Sequence, residues 1–308
     1  MGELRGRALW AWVIVCLVWG STYLAIRVGV ESLPPFLFAG VRWVIAALAL
    51  AGIARLMGES LPAARKDWIT LVVTGLLLIT GGNGLVVWAE QYVDSGSASI
   101  YVVTVAIWSA AFDAFIPGGK TRFCASLVAG LALGLVGTFI LSGVTPATLL
   151  STDLRGPLAL VAASGAWAFG SVYLKRKPVG VTFSIAAAVQ MLAGAAGLLV
   201  IALVLGEPVP ATVSPEGLGA LAYLIVFGSL VGFTAFGYAL RHASPTVVGT
   251  YAYVNPVVAV LLGAVLLGED LGLRKVVAMG IILAAVLVIQ RATAPKRRLT
   301  GVPAPART

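Results

Sequence analysis

Charge is scarce in this chain. Only 11% of its 308 residues are Asp, Glu, Lys or Arg, where a soluble domain carries roughly 25%, so there is too little polar surface to coat a water-soluble globule. Histidine is nearly absent: His242 is the sole one, beside Arg241. The two cysteines, Cys16 and Cys124, both fall inside apolar stretches and have no metal-ligand spacing, which makes them packing residues rather than a disulfide framework. No Ser-Lys or Cys-His constellation and no metal-ligand cluster stands at usable spacing, so catalysis, a bound metal and a resident cofactor find no support. From Ala8 to Val28 there is no carboxylate at all.

What is present is hydrophobic: 60% of residues, with a mean hydropathy of +1.01. The apolar stretches recur every 25–35 residues, leaving no room for a separate soluble domain. The first runs from about Ala8 to Val28, long enough to cross roughly 30 Å of hydrocarbon and longer than a signal-peptide core, so it reads as a retained helix. Ten spans are predicted, at 8–28, 34–57, 67–90, 95–116, 122–142, 156–176, 180–205, 216–240, 245–268 and 273–291. Pro34-Pro35, Pro62, Pro117-Gly118-Gly119, Pro178, Pro208 and Pro245 punctuate the breaks, and the joint near Asp94 is the least marked.

The net charge of +9 lies in short loops and in the tail Lys296-Arg297-Arg298, with no basic face interleaved with aromatics. That excludes nucleic acid as a partner and points to orientation in a bilayer. Sixteen basic residues fall on the side of the two termini, four on the other (Arg27, Arg155, Arg274, Lys275), and Arg42 within a span. Both termini are therefore expected in the cytoplasm, and an even number of spans requires that they share a side.

Compared with itself, the chain shows one recurring shift of 150 positions. Gly20-Ser21-Thr22-Tyr23-Leu24 matches Gly170-Ser171-Val172-Tyr173-Leu174, and Gly82, Ala89, Tyr101 and Gly130 match Gly232, Ala239, Tyr251 and Gly280. Residues 1–150 and 151–308 thus read as two five-helix repeats of a single membrane domain. Five is odd, so the second copy enters the membrane inverted, a frequent construction in secondary transporters; duplication kept only for packing is the competing reading.

Val18-Trp19-Gly20-Ser21-Thr22-Tyr23, Ala166-Trp167-Ala168-Phe169-Gly170-Ser171 and Tyr251-Ala252-Tyr253-Val254-Asn255-Pro256-Val257, the last continuing to Leu267-Gly268-Glu269, resemble the EamA-type drug/metabolite transporters over nearly the whole chain. The resemblance implies an all-α bacterial inner-membrane protein, ten helices around a central cavity, and export of amino acids or related metabolites. The chain departs from the family at Ala106 and Gly119, which match Pro256 and Glu269, so the first copy of that motif is degenerate. Small four-helix relatives in the superfamily use a glutamate in their first helix for proton coupling; the first span here lacks one.

Candidate substrate-binding residues are the polar and aromatic groups near mid-span: Trp19, Asn83, Tyr101, Thr104, Trp108, Ser164, Trp167, Ser229, Phe233, Tyr253 and Asn255. Singly each is a packing residue; together, aromatic faces with hydrogen-bonding groups suit a small amphipathic or zwitterionic substrate. Gly20, Arg42, Gly170 and Pro256 are the gate or hinge candidates. Pro256 frees the carbonyl of Ala252 and either kinks the helix passively or hinges it. Arg42 lies roughly 12 Å below the outer end of its span and needs a carboxylate, carbonyls, water or a substrate anion, Glu90 and Glu31 being the candidate carboxylates; Glu90 and Asp113 lie near span ends, within reach of water. Gly130, Gly134 and Gly137 read as close helix contacts. The expected function is a monomeric carrier of small molecules working by alternating access. A channel, a structural membrane subunit or an importer of the same fold remain the alternatives.

Overall fold

A computed structural model of the chain describes residues 4–93, 95–119, 121–143, 153–267 and 271–294. All regular structure among them is helical. In hydrocarbon no water can satisfy a backbone N–H or C=O, so apolar segments of this length close their hydrogen bonds internally. The elements are α1 (Arg7–Val30), α2 (Pro35–Leu56), α3 (Arg65–Ala89), α4 (Ser95–Val102), α5 (Thr104–Phe115), α6 (Ala125–Ser142), α7 (Arg155–Arg176), α8 (Phe183–Val204), α9 (Pro215–His242), α10 (Pro245–Gly249), α11 (Tyr251–Leu267) and α12 (Leu273–Thr293). Nine helical segments among the described residues are long and apolar enough to cross a membrane, and the shorter run Ile100–Phe115 accounts for the fourth span. Gly268 and Glu269, the end of the family-like motif, lie outside the described residues, as do Asp94 and the basic tail.

Local chemistry fixes the ends. Prolines open α2, α9 and α10, where a missing N–H costs nothing, and Ser214 and Ser244 accept from Gly217 N and Val247 N. Two helices end alike: after α2, Gly58 turns left-handed (φ 75°) and Glu59 N returns to Ala54 O at 2.9 Å; after α8, Gly206 does so (φ 65°) and Glu207 N returns to Ala202 O at 2.9 Å. The two glutamates then cross over. Glu207 accepts from the free N–H groups of Phe36 (3.2 Å) and Leu37 (2.7 Å) at the start of α2, while Glu59 accepts from Thr182 (2.7 Å) and Ser184 (3.4 Å) at the start of α8. Glu207→Ala should therefore destabilise the chain by about 1 kcal/mol, the usual worth of an N-terminal cap, read as a lower thermal midpoint in detergent; an unchanged midpoint would remove the capping role.

Helix packing follows the same exchange. The tightest pairs are α2 with α8 and α6 with α12; α1 packs on α9 and α11, while α7 packs on α3 and on α4–α5. Glycines permit the closest approaches: Gly130 and Gly137 of α6 against Ile289 and Ile282, Gly134 against Tyr253, and Gly75 of α3 against the backbone of Gln190. Two helices carry a wide π turn, over Leu76–Gly84 in α3 and Leu224–Phe233 in α9. Two others are broken, at Val103 between α4 and α5 and at Thr250 between α10 and α11.

Several sequence expectations need correction. Cys124 is the exposed N-cap of α6 rather than an interior residue. Asp113 and Glu90 do not reach water; both are buried, Glu90 completely. Each sits near the end of its own helix, but neighbouring helices cover it, and depth along a helix does not report that cover.

Candidate functional site

Between α1, α2, α3, α4–α5, α7 and α11 lies a cavity with about 590 Å³ of unoccupied space, counting its open mouth. From α1 it receives Trp19, Thr22, Tyr23 and Ile26; from α2 Arg42 and Trp43; from α3 Gly82, Asn83 and Val86. Val102 and Val105 flank the α4–α5 break; Ala163, Ser164 and Trp167 come from α7, Tyr251 and Asn255 from α11. The contributions of α1, α2 and α3 fall toward the end where α1 turns into α2. The π turn of α3 supplies Gly82 and Asn83, a frequent use of such turns.

An aromatic cluster forms one wall. Trp19 meets Trp167 edge-on (centroids 5.2 Å, 84°) and Tyr251 likewise (5.0 Å, 77°), with Phe236 behind both tryptophans at 5.3 and 5.1 Å. The two tryptophans are placed reciprocally. Trp19 lies on Gly232 in the π turn of α9, and Trp167 lies on Gly82 in the π turn of α3, where a β-carbon would come within 2.4 and 2.8 Å of the respective rings. Trp19 Nε1 donates to Gly228 O (3.0 Å), whereas Trp167 Nε1 is buried with no partner among the described residues.

The polar side holds Arg42. Its Nε donates to Ser229 Oγ at 2.8 Å and its guanidinium lies 4.7 Å from the centre of the Trp43 ring, while Nη1 is buried without a partner among the described residues. Trp43 Nε1 donates to Asn83 Oδ1 at 2.7 Å. Among the described residues neither candidate carboxylate pairs with Arg42; it bonds a serine from the π turn of α9 instead. Glu31 pairs with Arg27 at 3.7 Å, and Glu90 presents its main-chain oxygen, not its carboxylate, to Arg27 Nη1 at 2.7 Å. Asn255, with its amide nitrogen turned to Cys16 O (3.3 Å) and Tyr251 O (3.0 Å), ties α11 to α1 beside Gly20.

Of the candidates named from sequence, Trp19, Arg42, Asn83, Ser164, Trp167 and Asn255 line this cavity. Ser229 and Phe233 stand one layer behind, Ser229 against Arg42 and Phe233 edge-on to Trp43 at 5.5 Å. Tyr101 and Thr104 bond each other across the helix break (Thr104 Oγ1 to Tyr101 O, 2.6 Å), and Trp108 is partly exposed and stacked on Phe112. Tyr253 turns away altogether, donating to Leu131 O of α6 at 2.8 Å. Gly20 packs against Val258 and Asn255 O, Gly170 against Leu77 and Leu78, and Pro256 sits inside α11. Sequence reasoning passed over Thr22, Tyr23, Trp43 and Tyr251 as wall residues. Trp43 beside a membrane arginine carried a usable signal, since guanidinium groups stack on aromatic rings.

The far end is closed by ionic and backbone ties. Arg176 of α7 pairs with Asp113 of α5 at 2.7 Å and donates to Gly118 O; Asp113 also accepts from Thr121 N at 3.0 Å. Lys175 donates to the carbonyls of Leu240 (2.7 Å) and Arg241 (2.8 Å), the last turn of α9. Among the described residues no group of three or more His, Cys, Asp or Glu is placed to hold a metal ion.

Comparison with known proteins adds identity to this geometry. The EamA-like transporter family model matches twice, over residues 6–143 and 154–291. The uncharacterized inner membrane transporter YedA of Escherichia coli (strain K12) is 41% identical over 276 residues, covering 89% of this chain and 87% of that protein. A probable terminal-alkyne amino-acid exporter of Streptantibioticus cattleyicolor is 28% identical over 96% of this chain and 98% of its own length. The chain also superposes on a solved crystal structure with a TM-score of 0.73 at 23% identity, covering 94% of this chain and 99% of that one, which is a likeness of fold. The chain belongs to the EamA-like transporter family and is a multi-pass inner-membrane transporter.

Proposed function

We propose that the chain exports small amphipathic metabolites that carry a carboxylate, amino acids foremost, by alternating access of the central cavity. The observation that carries this reading is the pair of unsatisfied donors in the cavity wall, Arg42 Nη1 and Trp167 Nε1. Buried donors without partners are costly, and a fork-shaped cation and an indole N–H lining one cavity suit an acceptor-rich planar group. The aromatic wall supplies apolar area for the rest of such a molecule. The amino-acid exporter named among the relatives is in keeping with that chemistry.

Alternating access is the function of the repeat in this reading. Helix pairs exchange under a shift of 148 positions: the two family matches, Trp19 and Trp167, and Glu59 and Glu207 are all so related. A two-fold axis in the membrane plane would map α1–α9 onto α7–α3, with α2–α8 and α6–α12 astride it. With the termini in the cytoplasm, the mouth near the α1–α2 turn faces outward and the Asp113–Arg176 tie closes the inner end.

Two measurements test this. Reconstituted in liposomes, the chain should show saturable uptake and counterflow with one or more labelled amino acids; flux that rises linearly with concentration, without counterflow, would point to a channel. Single cysteines placed in the 206–215 loop should react with impermeant thiol reagents from outside intact cells, and labelling only from inside would overturn the orientation.

A further inference from the structure

A second hollow lies at the far end, between α7, α8 and α9, with about 870 Å³ of unoccupied space counting its mouth, a size usual for small-ligand sites. Lys175 of α7, Val179 of the connecting loop, Phe183 and Ala186 of α8, and Leu240 and Arg241 of α9 are among its walls. The repeat accounts for the space. Under the 148-residue shift Ala186 stands where the first half has Phe38. The Phe38 ring is buried against Gly29, between α2 and α1; in the second half an alanine methyl leaves the space between α8 and α7 unfilled.

Two cations share this hollow. Lys175 donates to the carbonyls of Leu240 (2.7 Å) and Arg241 (2.8 Å), so its ammonium sits on the turn that carries the Arg241 side chain. The Arg241 guanidinium lies 5.1 Å from the centre of the Phe183 ring, which rests on Gly237, and Nη2 donates to Val181 O at 3.3 Å. Arg241 has no ion pair among the described residues. The carboxylates at this end are bonded elsewhere: Asp67 to Gly180 N (3.0 Å), Glu59 to Thr182 and Ser184, Asp113 to Arg176 and Thr121. A cleft lined by one sign of charge gathers the opposite sign. Arg241 also belongs to the lipid-facing side of α9. Phe227 and Val231 are exposed, and beyond Phe233 the helix buries everything except Thr234, Tyr238, Arg241 and His242. Phe227, Val231, Thr234, Tyr238 and Arg241 follow at three- and four-residue spacing, hence on one face, and exposed Phe and Val mark that face as the one turned to the bilayer.

We propose that this hollow binds an anionic phospholipid, its phosphodiester held by Lys175 and Arg241 and the top of an acyl chain lying against Val179, Phe183 and Leu240. The cations select an anion, as basic pockets between membrane helices do. The apolar wall and the position of Arg241 on the lipid-facing side of α9 select a lipid over a dissolved phosphate. Bound there, the headgroup joins the end of α7 to the end of α9 and stabilises the form in which Lys175 ties them. The orientation proposed above makes this the cytoplasmic leaflet; the binding itself rests neither on that orientation nor on the carrier reading.

The full chain, delipidated in detergent, is titrated with phosphatidylglycerol, phosphatidylethanolamine or glycerol phosphate, and retained lipid is read by native mass spectrometry. Phosphatidylglycerol should be retained at concentrations about tenfold below those that phosphatidylethanolamine needs, and should raise the thermal midpoint. Arg241→Gln should weaken phosphatidylglycerol binding about tenfold, the loss of one hydrogen bond to a charged group, and Arg241→Lys should weaken it less. Arg55→Gln, which removes an exposed cation of α2 at the same end, should leave it unchanged. Ala186→Phe restores the ring of the first half and should block the site while the lipid-free midpoint stays at or above that of the parent. Equal retention of the two lipids, or parent-like binding in Arg241→Gln or in a folded Ala186→Phe, overturns the site. Release of the lipid by millimolar glycerol phosphate would make it a site for dissolved anions and overturn the lipid assignment. Should Ala186→Phe fail to fold, Arg241→Gln against Arg55→Gln decides alone.

Discussion

Arg42→Gln should reach the membrane in normal amount and still lose most carboxylate transport, with KM raised on the order of 10- to 100-fold. The estimate follows from one hydrogen bond to a charged group, worth about 1.5–3 kcal/mol. Arg42 already has a structural anchor in Ser229 and a ring beside it in Trp43, and glutamine can keep a bond to Ser229. What glutamine lacks is the charge and the second edge of the fork, which includes Nη1, buried without a partner among the described residues. Arg42→Lys separates the two: it keeps the charge but cannot hold Ser229 and a carboxylate with one rigid plane, so KM should rise by less while discrimination among carboxylates loosens. If the residue were only a structural tie, Ser229→Ala and Arg42→Gln would both lower protein yield alike. Normal transport kinetics in Arg42→Gln at equal expression would refute the carboxylate role outright.

The spans were legible because the bilayer imposes a length and a polarity that composition records directly. Each described span lies within a few residues of its expected position, and Pro35, Pro215 and Pro245 start helices where helix chemistry places them. The interior was harder. Apolar residues surround every span, so the face turned to the cavity leaves no periodic mark, and Tyr253 and Trp108 were as good a reading as Trp43 and Tyr251 until the helices were packed. The breaks at Val103 and Thr250 involve no proline, and the π turns of α3 and α9 carry no sequence signature beyond their glycines. The 150-residue shift captured Gly82 and Gly232, which do hold equivalent tryptophans. It misaligned the start of each half, where Gly20 and Gly170 meet unlike neighbours and the equivalent pair is Trp19 and Trp167. Glu59 and Glu207, each after a left-handed glycine, were the clearest unread sign of the repeat.

The reciprocal tryptophan–glycine contacts give the second large effect. Gly232→Ala places a methyl 2.4 Å from Trp19 Nε1 and 2.9 Å from Cδ1, closer than real β-carbons approach any atom, so the indole must move. Moving it strains or breaks the Nε1 bond to Gly228 O and disturbs the edge contact with Trp167, two features that shape the cavity wall. Transport should fall by roughly 5- to 150-fold, the range that the 1–3 kcal/mol commonly lost to overpacking corresponds to. The clash is with a side chain rather than backbone, so it is reversible: Trp19→Phe removes the indole nitrogen and its adjoining carbon, and the double variant Gly232→Ala with Trp19→Phe should recover transport to within a few-fold of Trp19→Phe alone. The same pairing should hold for Gly82→Ala with Trp167→Phe, where the approach is 2.8 Å and the single effect correspondingly milder. Rescue in both pairs, and none when the partners are crossed (Gly232→Ala with Trp167→Phe), would tie the loss to these two contacts. If the single glycine variants transport normally, the tryptophans are loosely held packing residues and the aromatic wall does not set the shape of the site.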